Sequence, residues 1–231
     1  MAAKKIPAFS RARTPEQIES RQSAILAAAY DLLKEKGLEN VSLGDIATRA
    51  GTVKSNLYRY FESREHIYLL VLQRHGVQWA ADVQAALHRL RGRGTPARVA
   101  RAVTATFLKH GDYSRMVGVF NPVLEHALTP ALVLNFRIGF LARRKLLAAA
   151  MAHALPALSE EAALELTIPI FAHVGGIWPL CQISADTRQL LSAPEHAHLV
   201  IDFETEMSRF LQTLITGALS TDSRPSKAPK G

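Results

Sequence analysis

Residues 42–64, SLGDIATRAGTVKSNLYRYFESR, have the pattern of two short helices joined by a tight turn. Ser42 is placed to cap the first helix, and Asp45 follows it three residues later, as in a capping box. Gly51 can adopt the positive φ that ends the first helix, because it has no side chain to clash with the backbone. Thr52 is then expected to cap the second helix. This stretch therefore constrains the chain to fold locally as a helical hairpin.

The hairpin has one apolar face and one polar face. The residues at helical spacing on the apolar face are Leu43, Ile46, Ala47, Ala50, Val53, Leu57 and Phe61. The other side of the second helix carries Lys54, Ser55, Asn56, Tyr58, Arg59 and Tyr60. Short polar side chains suit the edges of bases, while lysine and tyrosine suit phosphates. The pattern predicts a second helix that enters the major groove of DNA, the alternative being a surface hairpin with an ordinary solvated face.

Both flanks of the hairpin favour a compact helical domain. Upstream, Thr14 and Pro15 form a cap-then-proline start for a helix that stops at Gly37. Downstream, Ser63 is placed to cap a further helix whose first apolar residue is Ile67. These pieces predict a helical domain near the start of the chain, with the polar face of the hairpin on its outside.

Residues 17–72 resemble the DNA-binding domain of the TetR family of bacterial transcriptional regulators. The segments that carry the resemblance are AAYDLLKEKGLENVSL, DIATRAG and LYRYFESREHIYLL. The resemblance implies an all-α protein, with an N-terminal three-helix helix-turn-helix domain followed by a helical ligand-binding and dimerisation domain. It also implies a homodimer that binds double-stranded DNA and commonly represses genes until a small molecule binds. Val53 stands where the family often has a small polar residue, and Arg64 where it often has lysine.

The resemblance implies a set of DNA contacts in the hairpin and just after it. These residues are Ser42, Lys54, Ser55, Asn56, Tyr58, Tyr60 and Arg64. Lys54, Ser55 and Asn56 are expected at base edges, and the other four at phosphates. We therefore expect a sequence-specific transcriptional regulator, a homodimeric repressor released from a palindromic operator by a small apolar or amphipathic effector. The alternative is a DNA-binding regulator without such an effector, controlled by its abundance or by a protein partner.

Positive charge is concentrated in the two segments that would meet a polyanion. The whole chain of 231 residues has a formal net charge of +8. Residues 1–14 contain four basic side chains and no acid, and residues 49–64 contain four basic side chains and one acid. This distribution predicts salt-sensitive binding to DNA. Residues 1–14 are expected to form a basic flexible arm that either touches DNA or remains a solvated tail.

Other functional classes have little support in the sequence. Cys181 is the only cysteine, so neither an internal disulfide nor a cysteine-pair metal site is expected. A glycine-rich phosphate loop, a nucleophile elbow and an HExxH motif are lacking, so no catalytic residue, cofactor or bound metal is expected. An enzyme with a coincidental hairpin is the competing interpretation. The N-terminus lacks the apolar core of a signal peptide, which favours a cytoplasmic protein.

Residues 166–185 contain no charged side chain, so a membrane span must be considered there. Pro169 and Pro179 interrupt this segment, and His173 and Gln182 are polar. A helix buried between protein surfaces is therefore expected, and no membrane partner.

Cap and proline residues divide the rest of the chain into helices. Starts are expected at Thr95-Pro96, Thr129-Pro130, Ser159 and Pro194, with an interruption at Asn121-Pro122. About nine helices are expected in all. The predicted domains are the flexible arm (1–14), the helix-turn-helix domain (15–72), the helical ligand-binding and dimerisation domain (73–216) and a disordered tail (217–231).

Aromatic and apolar residues of the second domain supply candidates for two further sites. Those considered for an effector pocket are Trp79, Phe107, Phe120, Asn121, Phe136 and Phe140, with plain core as the alternative. In the family, the last two large helices of each subunit pair across a two-fold axis, which here implies residues of roughly 160–179 and 195–215. The candidates for that interface are Phe171, Val174, Gly175, Trp178, Phe203, Met207 and Phe210, with burial inside one subunit as the alternative. Gly76 is considered as a hinge between the domains, or as an ordinary solvent-side glycine.

Overall fold

The computed structural model describes residues 14–222, apart from the side chains of residues 119–126 and 221–222. In this range the chain forms ten α-helices and one 3-10 helix, and no strand. The helices are α1 (Pro15–Lys36), α2 (Leu43–Arg49), α3 (Lys54–Leu57), α4 (Arg64–His88), α5 (Pro96–Lys109), α6 (Gly111–Ala127), α7 (Pro130–Ala154), α8 (Glu160–Cys181), α9 (Ala185–Leu190) and α10 (Phe203–Asp222). The prediction of an all-α fold is confirmed, with one α-helix more than the nine expected.

Short polar side chains start the helices where the sequence predicts them. Thr14 accepts a hydrogen bond from the backbone N–H of Gln17, and Thr95 does the same from Arg98. The Ser159 hydroxyl likewise accepts from the backbone N–H of Ala162. In each case the cap satisfies one of the N–H groups that a helix leaves unpaired at its first turn.

The C-terminal part of the chain differs from the prediction. Residues Pro194–Leu199 form a 3-10 helix rather than the start of the last α-helix. That helix begins at Phe203 instead, where the Asp202 carboxylate accepts from the backbone N–H of Thr205 at 2.8 Å. It continues to Asp222, past the predicted start of a disordered tail at residue 217. Residues 1–13 and 223–231, most of the predicted arm and tail, lie outside the described residues.

The interruption predicted at Asn121-Pro122 is wrong, because α6 runs through both residues. A proline removes one backbone N–H from a helix, which weakens it locally. The preceding turns are held by buried side chains, among them Tyr113 and Met116. Packing of these turns therefore outweighs the local cost of the proline.

The chain divides into two compact units. One comprises Met1–Arg74 with Pro122–Phe136, and the other His75–Asn121 with Arg137–Gly231. In the first unit α1 packs against α2, and in the second α10 packs against α5 and α8. The predicted domain boundary between residues 72 and 73 remains a prediction.

Among the described residues, α8 is the one helix long and apolar enough to cross a membrane. Length and composition alone give this result, and core helices of globular proteins give it as well. A third of its most apolar window is buried inside the protein, including Phe171 and Val174. The exposed part of that window includes Ile168.

Candidate nucleic-acid interface

A capping box starts α2, as predicted. The Ser42 hydroxyl accepts from the Asp45 backbone N–H at 3.1 Å, and the Asp45 carboxylate accepts from the Ser42 backbone N–H at 2.8 Å. The Ser42 hydroxyl also donates to that carboxylate at 2.6 Å. These hydrogen bonds lower the pKa of Asp45. Ser42 is exposed, so its oxygen remains accessible while its proton is used locally.

Gly51 makes the turn of the hairpin, with φ at +67°. The backbone N–H of Gly51 donates to the Thr48 carbonyl, and that of Thr52 donates to the Ala47 carbonyl. This pair of bonds is the Schellman arrangement, which satisfies carbonyls at the end of a helix. A side chain at position 51 would be strained at this φ, so the role predicted for the glycine is confirmed.

Helix α3 is shorter than predicted. It ends at Leu57. The backbone N–H groups of Arg59 and Tyr60 then donate to the carbonyls three residues earlier, those of Asn56 and Leu57, as in a 3-10 turn. Val53, not Thr52, occupies the cap position and makes no side-chain cap bond. Val53 is also 60% exposed, so its predicted place on the apolar face is wrong.

The polar side chains of the hairpin share one outer surface, which we call the recognition surface. It consists of Val53, Lys54, Ser55, Tyr58 and Arg59, all exposed, with Asn56 and Tyr60 half-buried at its edge. Beneath it, Leu57 and Phe61 are buried and fix α3 to the domain core. The Asn56 side-chain amide donates to the Thr52 hydroxyl at 3.1 Å, so part of its donor capacity is used within the hairpin.

Arg64 does not share this surface. Its Nη1 donates to the Val41 carbonyl at 2.7 Å and to the Leu38 carbonyl at 3.4 Å. Its Nη2 lies 2.7 Å from a Glu65 carboxylate oxygen. The side chain therefore ties the start of α4 to the loop before α2. The predicted phosphate contact at Arg64 is at odds with this position, because its donors are already engaged.

Arg49 is also engaged within the domain. Its guanidinium makes two hydrogen bonds to the Glu35 carboxylate, at 2.8 and 2.6 Å, and these lower the pKa of Glu35. Of the four basic residues counted in the sequence between 49 and 64, two thus brace the fold. The described part of the chain shows no ion pair for the other two, Lys54 and Arg59. The charge available to an anionic partner is therefore concentrated on α3 and the turn after it.

His66 is a structural member of this domain that the sequence analysis did not identify. Its Nδ1 accepts from the backbone N–H of Glu62 at 3.2 Å, and its ring packs edge-on against Phe61, with centroids 5.9 Å apart. Burial lowers the pKa of His66. The neutral ring thus supports the turn between α3 and α4. The sequence signal for it, a histidine three residues after a helix cap, is weak.

The structure separates the residues predicted to line an effector pocket. Trp79 and Phe107 are fully buried and stack with centroids 4.7 Å apart. Phe140 packs edge-on against Phe171 at 4.9 Å in the same unit. Phe136 is half-buried in α7 and belongs to the other unit. The side chains of Phe120 and Asn121 lie outside the described residues, so the pocket as a whole stays a prediction.

Most residues predicted for a dimer interface are buried inside the protein instead. These are Phe171, Val174, Trp178, Phe203 and Met207. Gly175 faces Gly118 of the same chain, and Phe210 stacks on His173 with centroids 3.8 Å apart. Apolar spacing did not distinguish the inner face of α8 from its outer face, because both faces are apolar. A side chain covered by its own chain has no surface to offer to a second copy.

The outer face of α8 carries a different set of apolar residues, which we call the α8 stripe. It consists of Ile168, Ala172, Gly176 and Leu180, all exposed and spaced four apart. No group of three or more histidine, cysteine, aspartate or glutamate residues able to hold a metal occurs within the described ranges.

Two family models match most of the chain. The model described as "Bacterial regulatory proteins, tetR family" matches residues 25–71. The model described as "Tetracyclin repressor-like, C-terminal domain" matches residues 73–222. Together they include the recognition surface and nearly all of the second compact unit.

Curated and solved proteins are similar to this chain. The transcriptional activator FasR of Mycolicibacterium smegmatis is 32% identical over 92 residues, which is 40% of this chain and 42% of FasR. The aligned part thus spans less than half the length of that relative. A putative TetR-family regulator from Mesorhizobium loti has a TM-score of 0.57 at 15% identity, over 90% of this chain and 98% of that one. A transcriptional regulator from Rhodococcus sp. Rha1 has a TM-score of 0.54 at 22% identity, over 88% and 99%.

Proposed function

The chain belongs to the TetR family of helix-turn-helix transcriptional regulators, and from this premise we propose that it is a homodimeric repressor released from a palindromic operator by a small molecule. The alternative, a regulator without a small-molecule effector, differs only in the signal. FasR is named an activator, so the direction of regulation belongs to the proposal. The similar proteins are regulators rather than enzymes, and we propose that this chain acts in the cytoplasm on DNA without catalysing a reaction.

The recognition surface is the observation that carries the proposal. Lys54, Ser55 and Tyr58 project from a short helix whose opposite side is buried. An exposed helix with short polar residues near its start and cations beside them fits the major groove. Arg59 adds a cation that the resemblance did not supply. We propose base contacts for Lys54, Ser55 and Asn56, and phosphate contacts for Ser42, Tyr58 and Tyr60.

The α8 stripe supports the homodimer. An exposed apolar row on a long helix is costly in water and is typical of an interaction site. A two-fold pair of chains would present two recognition surfaces to successive turns of DNA, about 34 Å apart or a multiple of that distance. A two-fold dimer is therefore expected to bind an operator whose two half-sites are related by the same symmetry, that is, a palindrome.

An effector would act through the second compact unit. Helix α4 begins in the first unit and continues into the second, so it provides a continuous covalent route between effector and DNA. A ligand that prefers one position of this helix shifts the DNA affinity by no more than its preference between the two states. The aromatic side chains of Trp79, Phe107 and Phe140 favour an apolar or amphipathic effector.

Selection of duplexes from a random pool by the full-length protein tests the proposal directly. We expect an enriched near-palindrome whose half-sites lie about one helical turn, or a multiple of it, apart. An enriched sequence without two-fold symmetry would contradict the homodimer, and an absence of enrichment would contradict sequence-specific binding. Release of the selected duplex by a compound that also raises the melting temperature separates the effector-controlled repressor from the alternative.

Two alanine variants distinguish a residue that contacts DNA from one that braces the domain. Lys54→Ala should leave the melting temperature unchanged, weaken binding to the selected duplex by about 1–3 kcal/mol and relax the sequence preference at one position, because the proposed base contact is lost. Arg64→Ala should lower the free energy of unfolding by about 1–3 kcal/mol, because the Leu38 and Val41 carbonyls lose their donor. Melting curves, salt titrations and binding to duplexes with single base changes, measured for both variants, distinguish these roles. A reduced salt slope with unchanged melting for Arg64→Ala would restore its role at a phosphate.

A further inference from the structure

Arg143 is a buried cation in the second compact unit. It lies in α7 with 7% of its surface exposed, and its Nε atom has no hydrogen-bond partner. None of the ion pairs among the described residues includes it. An arginine side chain stays charged at all ordinary pH values, and burial of a charge is costly unless an opposite charge or good hydrogen bonds offset it. Within the described chain this guanidinium therefore lacks a counter-ion.

Tyr113, a polar neighbour of Arg143, does not supply the missing negative charge. Tyr113 is buried, and burial raises its pKa to about 12, although Arg143 acts in the opposite direction through its charge and a hydrogen bond. The phenol is consequently neutral near pH 7. Trp79 packs against Tyr113 with centroids 5.5 Å apart, and its buried indole Nε1 also has no acceptor. Both side chains that flank Tyr113 thus hold an unpartnered N–H donor.

Gly76 makes room for the Arg143 side chain against α4. A Cβ atom at position 76 would lie 3.1 Å from Arg143 Nε, 3.3 Å from its Cδ and 3.1 Å from Cε2 of Tyr113. Gly76 is buried, so the prediction of a solvent-side glycine is wrong. Its packing also gives it a role that needs no hinge: any larger residue would press on the guanidinium.

From these observations we propose that Arg143 is the anchor for the effector, and that the effector is a carboxylate with an apolar body. The guanidinium would take the carboxylate, the Trp79 indole N–H would provide a further donor, and the rings of Phe107 and Phe171 would contact the apolar part. A planar carboxylate matches the fork of a guanidinium, and its single negative charge balances one arginine. A phosphate monoester, with a charge of about −1.5 to −2, would be left partly uncompensated. The inference rests on the proposed control by an effector.

Matched acids and amides test the charge requirement. The probes are benzoate, phenylacetate, octanoate and decanoate, each paired with its primary amide, and phenyl phosphate as the alternative anion. The readouts are the melting temperature of the full chain and release of the selected duplex. We expect at least one acid to raise the melting temperature and release DNA, with its amide at least about tenfold weaker, because a charge-assisted pair is replaced by neutral hydrogen bonds.

Variants of the chain assign that requirement to Arg143. Arg143→Gln should weaken binding of the active acid at least about tenfold and leave its amide unaffected. Arg143→Met should keep or raise the melting temperature of the free protein, since it removes an unpaired buried charge. Gly76→Ala should weaken acid binding by crowding the guanidinium. Gly139→Ala is the control, because its Cβ would lie 3.5 Å from Arg143 Nη1, an ordinary contact.

Each contrary result is decisive for this inference and separable from the proposed function. Inactivity of all four acids, equal binding of acid and amide, stronger binding of phenyl phosphate, or full acid affinity in Arg143→Gln would overturn the role of Arg143 as a carboxylate anchor. If an amide releases DNA regardless of Arg143, the effector-controlled repressor stands and only the anionic effector fails. If the chain selects no duplex, the proposed function itself fails.

Discussion

Replacing Gly118 with alanine should lower the free energy of unfolding by about 3 kcal/mol, as overpacking of a close backbone contact does. The new Cβ would lie 2.6 Å from the Gly175 carbonyl oxygen and 3.3 Å from the Gly175 Cα. The contacted atoms are backbone, so they cannot rotate away as the end of a flexible side chain can. Relief requires α6 and α8 to separate, which disturbs the core around Val174 and Trp178.

The neighbouring glycine of α8 provides the control. A Cβ at Gly176 would meet nothing within 4 Å, so Gly176→Ala should be neutral or should stabilise the helix by up to about 1 kcal/mol. Thermal melting distinguishes the two, since 3 kcal/mol corresponds to a decrease of roughly 6–12 °C in a chain of this size. Equal melting temperatures for the two variants would show that α6 and α8 do not meet at these glycines.

Local chemistry explains why the helix starts were predictable. A cap is formed by a residue and the N–H three positions later, so Thr14, Ser42, Thr95 and Ser159 could be identified without knowledge of any distant part of the chain. The positive φ of Gly51 is equally local. The hairpin, its buried side and most of its polar surface follow from such short-range rules.

Pairings between distant residues were not predictable in the same way. Arg64 bonds to carbonyls 23 and 26 residues earlier, and Arg49 to a carboxylate 14 residues earlier. In the sequence, Arg49 and Arg64 cannot be distinguished from Lys54, because all three are basic residues within or beside the helical hairpin. Only the fold shows which cations brace the domain and which remain available to DNA.

The inner and outer faces of α8 were indistinguishable for a related reason. Apolar residues occur on all sides of this helix, so the hydrophobic periodicity of the sequence does not indicate which face is buried. Gly175 and Gly176 illustrate the difficulty: they are adjacent and chemically identical, yet one meets Gly118 and the other meets open space. The exposed apolar residues of this helix are those of the α8 stripe, whereas most residues predicted from the sequence for a partner are buried.

The stripe leads to the second large effect: Ile168→Arg should convert the proposed dimer into a monomer and weaken operator binding by about 100-fold or more. Ile168 is 57% exposed, so arginine there should change the stability of the single chain by no more than about 0.5 kcal/mol. At a two-fold interface the added charge occurs in both copies, where it is desolvated and close to its own equivalent. Two linked recognition surfaces bind far more tightly than one, because the second contact forms within the same complex.

Leu190→Arg is the matched control, since Leu190 is 72% exposed, lies in α9 and is not a member of the stripe. Sedimentation equilibrium of both variants, with binding to the selected operator and to one half-site, measures assembly and affinity separately. We expect Ile168→Arg to bind the full operator no better than the half-site, while Leu190→Arg keeps the preference of the parent chain. A dimeric Ile168→Arg with intact operator binding would show that the chains pair through another surface. A different partner would then be expected on the exposed apolar face of α8, because exposure of Ile168 and Leu180 to water is unfavourable.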